Sequence, residues 1–129
     1  MHDRKRKIIW QADVFPLFSP VMEDGRVVRP PVGFILDPAR PFIHVSRIFP
    51  AGKAPAECMI ASVDEALRGA AAPAEIHVRD AALGAALSAR SGVFRVRVLP
   101  VLRELALVRA DVESHIAIEL CGWLGGAQA

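Results

Sequence analysis

The side chains in this sequence whose types and positions could do chemistry are carboxylates. Asp13 interrupts an apolar run, Lys7–Phe15 (KIIWQADVF), and Asp80 closes another, Glu75–Arg79 (EIHVR). Glu104, Asp111 and Glu113 fall in a helical stretch near the end of the chain. An ionised carboxylate inside an apolar strand is costly to bury without partners, so the surroundings of Asp13 are informative. Carboxylates that converge from neighbouring elements can hold divalent cations, which activate a water and stabilise the leaving oxygen in phosphodiester cleavage.

Other chemistries find less support. The four histidines form no motif: His44 and His77 each lie inside a strand-like run, and His115 lies on the last helix. Cys58 and Cys121 are far apart and match no zinc or disulfide spacing, which suits small buried thiols in a reducing, cytoplasmic setting. Gly84 stands alone and Gly122–Gly126 precedes no helix, so no phosphate-cradling loop is expected. Ser62, Ser88 and Ser91 lack the flanking glycines of a nucleophile elbow. Basic residues concentrate in Arg4, Lys5, Arg6 and Lys7 and recur at Arg95 and Arg97, where they could contact phosphates. The balance of 16 basic and 14 acidic residues is too even for a dedicated nucleic-acid binder.

The elements that must position these groups can be read from patterning. The 129 residues, 53% of them apolar with a net charge of +2, suit one domain and exclude disorder as the main state. No apolar run approaches the roughly 18 residues that span a bilayer, and no signal peptide follows the basic start. Strands are expected at Lys7–Phe15, Val32–Leu36 and Phe42–Phe49, with Ser19–Gly25 as a connection and Asp37-Pro38-Ala39-Arg40 as a tight turn. Ile43, Val45 and Arg47 should share one face of the third strand. Helix, strand and helix follow at Ala56–Gly69, Glu75–Arg79 and Ala81–Ala89, with Asp80 as the N-cap of the second helix. Val93–Leu99 alternates cleanly, as an edge strand with one wet face does, and a last helix is expected from about Pro100. Leu102, Leu105, Val112 and Ile116 trace its buried side. The expected order is β-β-β-α-β-α-β-α: an antiparallel meander followed by two parallel strands, in a mixed five-stranded sheet with helices packed on it. Residues 8–121 would form the domain, 1–7 a basic arm and 122–129 a flexible tail.

Trp10-Gln11-Ala12-Asp13 resembles the Trp-x-x-Asp opening of the ribonuclease H-like catalytic core of integrases and transposases. Val32–Asp37 resembles the apolar second strand of that core, and Glu75–Asp80 its fourth strand, which delivers a second Asp. The chain also resembles small bacterial domains that share the Trp-x-x-Asp start and an Arg-Pro before strand two, here Arg29-Pro30. The resemblance implies an α/β, ribonuclease H-like fold in which Asp13 and Asp80 share a metal with a carboxylate of the last helix. At about 100° per residue, Glu113 borders the stripe of Leu102, Leu105 and Ile116, which makes it the third candidate. An active centre of this kind would take Mg²⁺ or Mn²⁺; no other cofactor is expected. The sequence departs from the active members in having Ala81-Ala82 after Asp80 and no long basic segments. The expectation is therefore a non-catalytic domain acting in binding or assembly. The alternatives are a metal-dependent nuclease using Asp13, Asp80 and Glu113, or a regulator that contacts nucleic acid through Arg4–Lys7, Arg95 and Arg97. Assembly would take the form of a homodimer made through an apolar patch or an unpaired strand edge.

Overall fold

The computed structural model describes residues 7–40, 42–50, 52–90 and 93–114. The basic residues Arg4, Lys5 and Arg6, together with His115, Ile116, Cys121 and the expected 122–129 tail, lie outside the described residues. Seven strands and two helices follow in order: β1 (Ile9–Pro16), β2 (Val21–Glu23), β3 (Arg26–Val28), β4 (Pro31–Asp37), β5 (Phe42–Ile48), α1 (Pro55–Gly69), β6 (Glu75–Val78), α2 (Ala81–Arg90) and β7 (Arg95–Val98). A third helix, α3, covers residues 103–114 of the described chain. No described helix is long and apolar enough to cross a membrane.

Five strands form one mixed sheet in the order β5-β4-β1-β6-β7. β1 pairs antiparallel with β4 and β4 with β5, whereas β6 runs parallel to β1 and β7 parallel to β6. The connections of the first half, a segment with its own hairpin and then a tight turn, return the chain to antiparallel neighbours; each later strand is entered through a helix, which is what a parallel crossover needs. β1 is the middle strand, and residues 10–13 are buried on both faces.

Alternation along the strands divides the core in two. Trp10 and Ala12 of β1, Ile35 of β4 and Ile76 and Val78 of β6 point to the side covered by α1 and α2, where Met59, Val63, Leu83 and Leu87 meet them. Phe15, Phe34 and Leu36 point to the other side, which Leu102 and Leu105 cover at the start of α3. Two glycines allow close approach on the first side. A Cβ on Gly33 would run into the Phe49 ring and sit 2.7 Å from the Met59 sulfur; one on Gly84 would sit 2.7 Å from a Val98 methyl.

Three local features differ from expectation. The connection across Ser19–Gly25 contains a separate two-stranded hairpin, β2–β3, whose central turn residues Asp24 and Gly25 have φ of 51° and 76°. Positive φ at both positions is what a tight type I′ turn demands, and Asp-Gly supplies it. The strands themselves carry no buried face and so leave no alternating signature. Between β4 and β5 the register slips at Ile35 and Leu36, so that Leu36 faces Ile43 while Ile35 faces Val45 and His44 of β5 is the extra residue. This bulge sends Ile43 and Val45 to opposite faces, contrary to simple alternation, and sets His44 against Trp10 at 4.4 Å between ring centroids. Finally, α3 is helical from residue 103 rather than from Pro100. Asp37 makes the turn expected of it: its Oδ1 accepts from Ala39 N at 3.0 Å and its Oδ2 from Arg40 Nε at 3.1 Å.

Candidate functional site

Asp13 sits in the middle of β1 on the α3 side of the sheet, only 3% exposed. Its partners come from the backbone and from the neighbouring strand. Oδ1 accepts from Val14 N at 2.9 Å, and Oδ2 accepts from Arg79 Nε at 2.9 Å. The parallel register that sets Ala12 beside Val78 brings Arg79, the next residue, level with Asp13. Arg79 is half exposed, so its guanidinium bridges the buried carboxylate to the surface. Together they border a cleft of about 130 Å³ closed by Leu102, Leu105 and Arg109 of the α3 region.

Asp80 follows at once but points elsewhere. Its Oδ1 accepts from Ala82 N at 3.0 Å, which caps the start of α2, and it borders a different cavity with Pro16, Arg29 and Pro55. Glu113 accepts from Arg109 Nε at 2.9 Å, one helical turn back, and borders a third, apolar cavity of about 450 Å³ with Phe15 and Val112. Arg109 also lies over the Phe15 ring, 4.1 Å from its centroid. The three carboxylates thus have separate partners and face three separate cavities. Among the described residues, no three His, Cys, Asp or Glu side chains lie close enough together to hold a metal ion.

No protein-family profile matches this chain, and no curated protein matches it significantly.

The basic residues behave differently, because the structure does bring Lys7, Arg95 and Arg97 together. The register aligns Ile9, Glu75 and Arg95 in one row and Gln11, His77 and Arg97 in the next, all on the α3 side of the sheet. Glu75 is the buried hub of this grid, 5% exposed. Its carboxylate takes Lys7 Nζ at 2.5 Å and His77 Nε2 at 2.8 Å, with Arg97 Nη1 at 3.9 Å. The bonds from Lys7, then His77, hold Glu75 down at a pKa of about 2 against the ordinary 4.5. Hydrogen bonds that favour the charged form outweigh the desolvation that opposes it.

Gln11 is a second group that sequence reasoning passed over. Its Oε1 accepts from Leu105 N at 2.9 Å and its Nε2 donates to Glu104 Oε1 at 2.7 Å. The side chain thereby satisfies one free N–H of the first turn of α3 from the centre of the sheet. The Gln11 bond, with a backbone bond of Glu104 itself, lowers the Glu104 pKa. A signal for Gln11 was present, since it stands two residues before Asp13 and so on the same face of an otherwise apolar strand. His44 is lowered chiefly by burial, against Asp37, which raises it.

Proposed function

We propose that this chain is a ribonuclease H-like domain that works by binding, without a metal-dependent phosphodiesterase centre of its own. The sheet supports the fold: a central first strand, an antiparallel meander on one side and two parallel strands on the other are what the Trp-x-x-Asp resemblance implies. The observation that carries the functional reading is the Arg79–Asp13 pair. The carboxylate that would bind the metal has a guanidinium on it at 2.9 Å, inside a cleft of about 130 Å³. A divalent cation there would have to displace a fixed positive charge or sit beside it. Asp80 and Glu113, engaged in a helix cap and an intrahelical pair, supply no compensating charge at that point.

The test is a thermal titration with Mg²⁺ and Mn²⁺, run beside incubation with single- and double-stranded DNA and RNA. A site filled at 100 times its Kd stabilises by about 2.7 kcal/mol, which raises the midpoint of a domain this size by on the order of 10 °C. The expected result is no shift and no cleavage. Metal-dependent cleavage that Asp13→Asn abolishes would overturn the proposal.

A further inference from the structure

The outer edge of β7 is an open template. Among the described residues β7 is the last strand of the sheet and pairs only with β6. Arg95 N donates inward to Ala74 O at 2.9 Å and Leu99 N inward to Val78 O at 2.8 Å. In a strand, backbone groups alternate sides, so Val96 and Val98 turn their N–H and C=O outward. Among the described residues nothing pairs with them. The two faces beside this edge differ. On the α3 side stand Arg95 and Arg97, both exposed, with Lys7 close by; Glu75 is the carboxylate that meets Lys7 and Arg97 there. On the other side lies Val98, half exposed where α2 comes closest through Gly84.

We propose that this edge docks an extended, acidic segment of a partner protein, which adds to the sheet as a sixth strand. The backbone of the segment would complete the hydrogen bonds of Val96 and Val98, as in other cases of strand addition. Its side chains would alternate: acidic residues beside Arg95 and Arg97, apolar residues beside Val98. A second copy of this chain is disfavoured in the symmetric register that pairs Val96 with itself. Antiparallel pairing of β7 with itself about Val96 sets Arg95 against Arg97 of the copy, and like charges directly opposite are destabilising. The two arginines therefore oppose self-pairing in that register and leave the edge open to a strand of opposite charge. On the α3 side of β6 and β7 the ring present is His77, which is mostly buried and bonded to Glu75 at 2.8 Å, so it offers no open face to a stacking nucleic-acid base, which favours a peptide over a single-stranded nucleic acid.

This inference rests on reading the domain as a binding module, and its test is separate from the metal and cleavage assays that decide that reading. The probe is an acetylated, amidated peptide of alternating glutamate and valine, about eight residues long, enough to span a typical strand. Its controls are a block isomer of the same composition, a version N-methylated on alternate amides, and oligothymidylate. Binding is measured by anisotropy at low salt, and amide exchange at Val96 and Val98 by NMR. The alternating peptide is expected to bind and to slow exchange at both amides. The block isomer and the N-methylated version are expected to do neither. The Arg95→Glu/Arg97→Glu variant should bind the glutamate–valine peptide at least about tenfold more weakly and prefer a lysine–valine analogue. Equal binding of the block isomer, absence of amide protection, no binding at all, or tighter binding of oligothymidylate would each overturn the proposal. The N-methylated peptide tests the wild-type protein directly, so the outcome does not depend on the variant folding.

Discussion

Replacing Arg79 with Met keeps most of the apolar stem and removes the guanidinium from Asp13. The carboxylate is almost fully buried in the central strand and, among the described residues, keeps only its bond from Val14 N. Exposed ion pairs contribute about 0–1 kcal/mol, and stripping one partner from a fully buried pair costs about 3–5 kcal/mol. This pair lies between the two cases, because Arg79 is 46% exposed while Asp13 is 5% exposed at the side chain. The expected cost of Arg79→Met is therefore about 2 kcal/mol, the range for hydrogen bonds to charged groups. For a domain this size that lowers the thermal midpoint by roughly 8 °C. Asp13→Asn removes the charge that needs a partner, so adding it to Arg79→Met should recover part of the loss. A double-mutant cycle by urea denaturation should give a coupling of about 1–1.5 kcal/mol. A coupling near zero, or an Arg79→Met protein within about 0.5 kcal/mol of wild type, would refute the claim that Arg79 is what balances the buried carboxylate.

Three further outcomes follow from the geometry. Gly33→Ala should destabilise by about 2–3 kcal/mol, because the new methyl meets the rigid, buried Phe49 ring as well as Met59; equilibrium unfolding measures it, and Phe49→Leu should relieve part of it. Glu75 titrates near 2 folded against 4.5 ordinarily, so its contribution is full above pH 4.5 and is lost as the pH falls from there towards 2. Glu75→Gln should accordingly lower stability at neutral pH and flatten the pH profile between about 4.5 and 2, as read by denaturation at a series of pH values. Asp80→Ala should cost about 1 kcal/mol through loss of the α2 cap, while Asp80→Asn, which can still cap, should be close to neutral.

What the sequence disclosed, and what it withheld, follows from the range of the interactions. β1 announces itself by its β-branched and aromatic content, β7 by clean alternation and α1 by an apolar face, because each is a pattern carried by residues close together in the chain. The wet face of Val93–Leu99 foretold an edge, and Asp80 foretold a cap, since both depend on residues within a few positions. The β2–β3 strands were invisible because they bury nothing, although their Asp-Gly turn was plain. The β5 bulge was invisible because it is a slip between two strands rather than a property of either. The largest loss concerned Asp13. Its partner Arg79 was on the page as the residue before Asp80, but its role depends on the register of β1 against β6. Glu75 likewise looks like an exposed strand-end carboxylate until the register packs Lys7, His77 and Arg97 around it. The pairing of Glu113 with Arg109, four residues back, was the one site contact that helical spacing alone could have supplied.

The middle place of β1 also sets an order of events during folding. Its antiparallel partner β4 follows after one hairpin, but its parallel partner β6 arrives much later: the Asp13–Arg79 bond closes a separation of 66 residues. A nascent chain that has emerged only as far as α1 can build the β5-β4-β1 meander, and in doing so it leaves the β6 side of β1 bare. Contacts of such long range form slowly, since the chain between them must be ordered first. Trp10, fully buried in the finished domain, borders that bare edge. The first strand made is thus the last to be enclosed, and truncation ahead of Glu75 would leave an apolar strand edge open to pairing with other chains.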